Sequence, residues 1–239
     1  MRQPIIGVSC NFKPHEGENG TFQLDKSYTD MVYKNGAIPQ IIPILPVEEI
    51  PSMLHLYDGI LLSGGGGLLP HIEQMDVLPG LREQNPDRYD FESEIINYAL
   101  KMGTPLLGIC RGYQMINELM GGSLENLPGK AHLQKEAGAQ PSHRIFVERE
   151  TILYQAIQSE EVEVNSFHSQ AIDQVGNGLK ITSYSKDKVI ESMEGTTSQF
   201  ILGLQFHPEF MVESEKMNHI YRSFIRAAEE FKDRGSEHD

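Results

Sequence analysis

The sequence predicts an α/β fold: a mostly parallel sheet covered by helices on both faces, with antiparallel strands added in the second half. Three observations predict it. Apolar runs alternate with helically spaced segments through the first half of the chain. Two of those runs end in glycine turns, at Ser63-Gly64-Gly65-Gly66-Gly67 and around Cys110, as strand-to-loop junctions of parallel sheets do. In the second half the runs become short, β-rich and separated by turns.

Taken in order, residues 4–9 read as a strand and 25–34 as a helix closed by Gly36. Residues 38–45 form a second apolar run whose prolines suggest an edge or a bend. A short helical piece at 48–56 leads to a buried strand at 59–63, followed by a long Gly- and Pro-rich loop over 64–86. Phe91, Ile95, Ile96 and Ala99 give 88–102 helical spacing up to Gly103. A strand at 105–110 runs at once into a helix with Tyr113, Ile116, Asn117 and Met120 on one face. Strands at 144–147, 161–165, 179–184, 189–193 and 200–206 are expected as antiparallel additions, and 213–231 as an amphipathic closing helix.

The 239 residues fit one domain spanning 1–239, without internal repeats or a linker. Twenty Lys and Arg against 34 Asp and Glu give a net charge of −14. That balance argues against nucleic acid or an anionic membrane as partner, since both require a basic face. The two cysteines, Cys10 and Cys110, do not resemble a disulfide framework. Met1-Arg2-Gln3-Pro4 leads directly into apolar sequence without a signal core, so a reducing cytoplasm is the expected location. The apolar stripes read as core, which leaves self-association open.

Leu107-Gly108-Ile109-Cys110-Arg111-Gly112 carries the chemistry. A cysteine between a strand and a helix, with glycines two residues to either side, matches a nucleophile elbow. The helix start would stabilise a thiolate. Simple packing of an apolar cysteine is the competing reading. His207-Pro208-Glu209 supplies a base and an orienter: if extended chain persists through the proline, His207 and Glu209 share a side. That spacing is not a zinc motif, and ordinary loop polarity is the alternative. The glycine run after Ser63 fits neither a phosphate loop nor a dinucleotide fingerprint, which leaves a flexible turn or an anion-facing N–H. An oxyanion hole from this loop and the Arg111 N–H fits better.

Gly-Ile-Cys-Arg-Gly-Tyr-Gln-Met-Ile-Asn, the glycine run after Leu-Leu-Ser, Val-Asn-Ser-Phe-His-Ser-Gln-Ala-Ile and Gly-Leu-Gln-Phe-His-Pro-Glu together resemble class I glutamine amidotransferase-like proteins. Among these the chain looks most like the γ-glutamyl-γ-aminobutyrate hydrolase branch, peptidase family C26, over residues 4–209. The resemblance implies a flavodoxin-like central sheet and a Cys110–His207–Glu209 triad with oxyanion donors at Gly65 and Arg111. It also implies a glutamyl pocket involving Gln114, Asn165, Ser166 and His168; residue by residue, solvation of a helix surface or strand end competes for Gln114 and Asn165. Gly67, Glu73, Ser169 and Lys188 depart from the family pattern, whereas Pro70 and Glu191 keep it.

The expected reaction is hydrolysis of a small γ-glutamyl amine through a cysteine thioester, releasing glutamate. It needs neither a metal nor an organic cofactor. Three other readings stay open: a glutaminase subunit feeding ammonia to a separate synthetase, a non-catalytic γ-glutamyl or amino-acid binding protein, and a DJ-1/PfpI-like stress protein. The last lacks the late His-Pro-Glu.

Overall fold

A computed structural model of the chain describes residues 2–14, 20–65, 68, 72, 75 and 77–236. The first half runs β1 (Ile5–Ser9), β2 (Asn11–Pro14), β3 (Gly20–Gln23), α1 (Lys26–Lys34), β4 (Ile38–Ile42), α2 (Ile50–Leu54), β5 (Gly59–Leu62), α3 (Leu81–Gln84), α4 (Pro86–Met102), β6 (Leu106–Ile109) and α5 (Arg111–Leu119). The second half runs β7 (Ser123–Asn126), β8 (His143–Val147), α6 (Ile152–Ile157), β9 (Glu161–Val164), β10 (Gln170–Gln174), β11 (Leu179–Ser185), β12 (Ile190–Gly195), β13 (Ile201–Leu204) and α7 (Glu215–Ser236).

Local chemistry sets the helix boundaries. Asp25 caps α1 by accepting from the Ser27 N–H at 2.9 Å. Asn85 caps α4 through the Arg88 N–H, Pro86 occupies the first turn, and Gly103 ends the helix in the left-handed region. On α7, Met217, Ile220, Tyr221, Phe224 and Ile225 are buried at helical spacing.

The main sheet has the order β4-β1-β5-β6-β13-β12-β11-β8-β9, with β10 pairing β12 and β7. From β4 to β13 the neighbours are parallel, and beyond β13 the pairs are antiparallel. Alternation along the strands feeds two cores. Leu61, Leu107 and Leu204 pack with α1, α6 and α7; Ile60, Leu62 and Leu106 pack with α2, α4 and α5. The edge position of the proline-bearing second run is as the sequence suggested, since β4 ends the sheet.

One strand departs from expectation. Residues 200–206 were expected among the antiparallel additions, yet β13 lies parallel to β6, pairing Ile201 with Leu106 and Leu204 with Ile109. Its sequence is apolar on both faces because helices cover both, which is the signature of a central parallel strand. The β2–β3 hairpin, α3, α6, β7 and β10 carry no strong periodicity and are additions to the sequence reading. Among the described residues, no helix is long and apolar enough to cross a membrane.

Candidate active site

The site is built where β6 and β13 end side by side. Cys110 leaves β6 with φ 49° and ψ −104°, a left-handed backbone that costs a non-glycine residue about 1–3 kcal/mol. The turn is possible because glycine sits on either side. A Cβ on Gly112 would lie 2.3 Å from the Leu62 carbonyl oxygen, and one on Gly108 would lie 2.7 Å from the Gly112 carbonyl carbon. Both flanking glycines therefore have the steric role read from the sequence.

Parallel pairing brings the base to the elbow. The Cys110 N–H donates to the Leu204 C=O at 2.7 Å, so the chain leaving β13 passes beside the cysteine and reaches it at His207. His207 Nδ1 lies 2.6 Å from Glu209 Oε1. The reason differs from the alternation expected for extended chain: Pro208–Phe210 form a 3₁₀ turn, and that turn folds the Glu209 carboxylate back onto the imidazole. Glu209 is fully buried and His207 nearly so.

Asn165 fixes the base from behind. Its side-chain oxygen accepts the His207 N–H at 2.7 Å, and its amide donates to the C=O groups of His207 and Gly138, each at 2.7 Å. All three contacts go to protein, and Asn165 is fully buried. Ser166 is likewise occupied: its hydroxyl donates to the His132 C=O at 2.9 Å, and its N–H donates to Gln134 at 2.7 Å. The family pattern implied that both line a glutamyl pocket, whereas the structure places them behind the wall, outside the lining of the cleft.

Burial by itself would push the Cys110 thiol up. The charge of His207, a hydrogen-bonding interaction with it and the Gly65 N–H outweigh that effect and hold the thiol below its ordinary value. Burial works against the His207 cation too, but Glu209 and Cys110 overcome it and raise the imidazole well above the usual range. The pair therefore favours thiolate and imidazolium. Among the described residues, His207 Nε2 makes no aligned hydrogen bond in this resting arrangement, an arrangement common before substrate binds.

Cys110 also caps α5. The first N–H in the helical ladder is that of Gln114, which donates to the Cys110 C=O at 3.0 Å. The Arg111 N–H precedes it and is left outside the ladder at the positive end of the helix. The Gly65 N–H is already directed at the cysteine. Gly64 must be glycine here, because a Cβ would meet Tyr28 Oη at 2.6 Å and His207 Cε1 at 2.8 Å.

Gly65, Cys110, Arg111, Gln114, His168 and His207 all face one cleft of about 340 Å³. Gln114 donates from its amide to the Gln170 C=O at 2.9 Å and to Gln205 Oε1 at 3.1 Å, which fixes its orientation in the wall. Desolvation holds the His168 imidazole down to about 4, so it faces the cleft neutral at ordinary pH. Leu68, Leu78, Leu133 and Phe167 give the rest of the lining an apolar character, and Ser169 also contributes. Gly66, Gly67, Pro70 and Glu73 lie outside the described residues.

Two features were missed in the sequence. Tyr28 on α1 accepts the Gly64 N–H at 2.8 Å and interacts with Glu209, yet its periodicity marks it only as core. Glu92 on α4 is fully buried between Arg88, at 2.9 Å, and Arg111, and also accepts from Ser9 Oγ at 2.8 Å. Burial opposes the Glu92 anion, but the two guanidiniums prevail and lower its carboxyl. Burial also brings Arg111 down to about 10 despite Glu92. The residue after the nucleophile is thus clamped by an ion pair on a neighbouring helix.

A family model described as Peptidase C26 matches residues 4–209. The glutamine amidotransferase-like protein YvdE of Lactococcus lactis subsp. lactis is 34% identical over 196 residues, covering 80% of this chain and 82% of that protein. The γ-glutamyl-γ-aminobutyrate hydrolase PuuD of Escherichia coli K12 is 29% identical over 246 residues, 96% of this chain and 95% of its own. A crystal structure of a glutamine amidotransferase from Thermotoga maritima shares the fold with a TM-score of 0.63 at 17% identity, covering 96% of this chain and 100% of that one.

Proposed function

The chain belongs to the peptidase C26 family, and from that premise we propose that it hydrolyses the γ-amide bond of a small γ-glutamyl amine through a Cys110 thioester. One observation carries the reading: a thiol lowered by its imidazole neighbour, at a strained elbow, with the Gly65 N–H directed at it.

In the proposed reaction the Cys110 thiolate attacks the γ-carbonyl carbon. The carbonyl oxygen takes up negative charge, and the N–H groups of Gly65 and Arg111 stabilise it. His207, already protonated and oriented by Glu209, gives its Nε2 proton to the departing nitrogen as the C–N bond breaks. The products of this half are a free amine and a γ-glutamyl thioester. His207, now neutral, takes a proton from water as the water adds to the thioester carbonyl. Glutamate leaves and the thiolate–imidazolium pair is restored. Each oxyanion donor of this kind is worth about 10²–10³ in turnover.

The cleft supports a small substrate, and the leucines and Phe167 in its lining favour an amine with apolar surface. A glutamate-release screen over γ-glutamyl amines, plain glutamine included, tests the proposal. Release is expected from the native chain and lost in Cys110→Ala; undiminished release by Cys110→Ala would contradict it.

A further inference from the structure

Behind the cleft wall lies a polar cluster that the proposed reaction does not use. Separate segments of the chain bring His132, His143, His168 and Glu191 together. His132, His168 and Glu191 are buried, at 6%, 4% and 0% exposure. His132 Nδ1, His143 Nε2 and His168 Nε2 lie 3.5, 3.0 and 3.8 Å from the same carboxylate oxygen, Glu191 Oε1.

Bonds on the far side of two of these rings set their tautomers. His168 Nδ1 is 3.0 Å from the Gln170 C=O, which can only accept, so the proton sits on Nδ1 and Nε2 presents a lone pair. His132 Nε2 is 3.0 Å from the Asp187 carboxylate, which can only accept, so in the neutral ring the proton sits on Nε2 and the Nδ1 lone pair points inward. The nearby Ser166 hydroxyl cannot supply Nδ1, because its one proton goes to the His132 C=O. Among the described residues, His168 Nε2 and Glu191 Oε2 are buried without hydrogen-bond partners. Two imidazole lone pairs and a carboxylate thus converge in a buried site, and such an arrangement calls for positive charge between them.

We propose that His132, His168 and Glu191 bind one divalent transition-metal ion of the zinc type. Their ligand atoms lie within 4.8 Å of one another. The 3.5 and 3.8 Å separations are near the edge of about 3.4 Å that bonds of about 2.0–2.1 Å make in a tetrahedron. Two imidazoles with one carboxylate suit zinc, cobalt or nickel rather than calcium or magnesium. The outer partners are those metal-bound histidines use: a carboxylate behind His132 and a backbone carbonyl behind His168. His143 donates to the carboxylate and steadies it. A surface recess lined by His132, His143 and Asp187 provides an entry path, and the Asp187 side chain is 58% exposed. The ion takes no part in the thioester chemistry; it ties His168, part of the cleft wall, to β12.

The test uses the full chain carrying Cys110→Ser, so that the catalytic thiol cannot compete for metal. After stripping with chelator, Zn²⁺ is titrated calorimetrically and Co²⁺ is followed by visible absorption. One equivalent is expected to bind, with cobalt d–d bands and no thiolate charge-transfer band. His132→Gln and Glu191→Gln are each expected to weaken binding by at least about tenfold. Absence of saturable binding would overturn the proposal. Unchanged binding in both variants would overturn it as well. Should either variant fail to fold, protection of His132 and His168 from diethyl pyrocarbonate by Zn²⁺ reads the same site, and undiminished modification of both counts against it.

Discussion

Replacing Asn165 with alanine separates a positioning role from a substrate contact. The substitution removes two bonds to the His207 backbone and one to Gly138, each 2.7 Å long. The His207 N–H is buried and would be stranded, whereas the His207 C=O keeps the Phe210 N–H at 3.3 Å. One unsatisfied buried group costs about 1–3 kcal/mol. Water entering from the partly buried Gly138 side offsets some of this, so a loss of about 1–2 kcal/mol is expected. In urea this appears as a lower midpoint at unchanged slope. Freed from its bracket, His207 loses its placement beside Cys110, and a misplacement of about 1 Å is worth about 10²-fold in rate. Alkylation of Cys110 by iodoacetamide near neutral pH, mapped by mass spectrometry, reads this without any substrate and should slow markedly. With a γ-glutamyl substrate, kcat should fall by about 10²-fold while KM stays nearly constant. A variant of native stability and native Cys110 reactivity whose KM alone rises would refute the bracket and restore Asn165 to the glutamyl pocket.

Glu92→Gln should destabilise the fold by about 3–5 kcal/mol at neutral pH in thermal or urea unfolding, because two buried guanidiniums lose their anion. The lowered Glu92 carboxyl contributes stability above the ordinary glutamate value, and that contribution disappears as pH falls through its folded value. The variant should therefore show a shallower loss of stability in acid than the native chain. Cys110 alkylation should persist well below the pH at which a free thiol stops reacting, because the thiol is lowered, and should fall only as the thiolate is protonated. The raised His207 keeps its proton to higher pH than a free imidazole, so amine expulsion should fail only on the alkaline side; a rate that tracks free cysteine would contradict the pair. Gly64→Ala should abolish turnover, since its Cβ meets Tyr28 and His207, whereas among the described residues a Cβ on Gly65 meets nothing within 4 Å and Gly65→Ala should remain active.

That Cys110, His207 and Glu209 come together was legible because elbow glycines and a His-Pro-Glu stretch at a strand end are local patterns with direct steric meaning. The order of the β-strands was less so. β13 looked like the short strands before it, and only its pairing with β6 shows why His207 reaches Cys110. Glu209 was expected beside His207 through extended geometry, but a 3₁₀ turn does the work, and the proline is compatible with both. Tyr28 and the Glu92–Arg111 pair act through long-range contacts that no spacing encodes; Arg88 and Glu92 are four residues apart on one helix, but that spacing alone reads as an exposed pair rather than a buried one. The histidine cluster is assembled from four separated segments, so no ligand spacing exists in the sequence to reveal it. Asn165 shows the opposite case, where a motif pointed to the right neighbourhood and the hydrogen bonds redefine the role.

In the proposed reaction Cys110 carries the γ-glutamyl group. Acid quenching during steady-state turnover of a γ-glutamyl amine, followed by peptide mass spectrometry, tests it directly. One γ-glutamyl group is expected on the peptide containing Cys110, labile to hydroxylamine and absent from Cys110→Ala. Steady glutamate release with an unmodified Cys110 peptide, and the same release from Cys110→Ala, would contradict it.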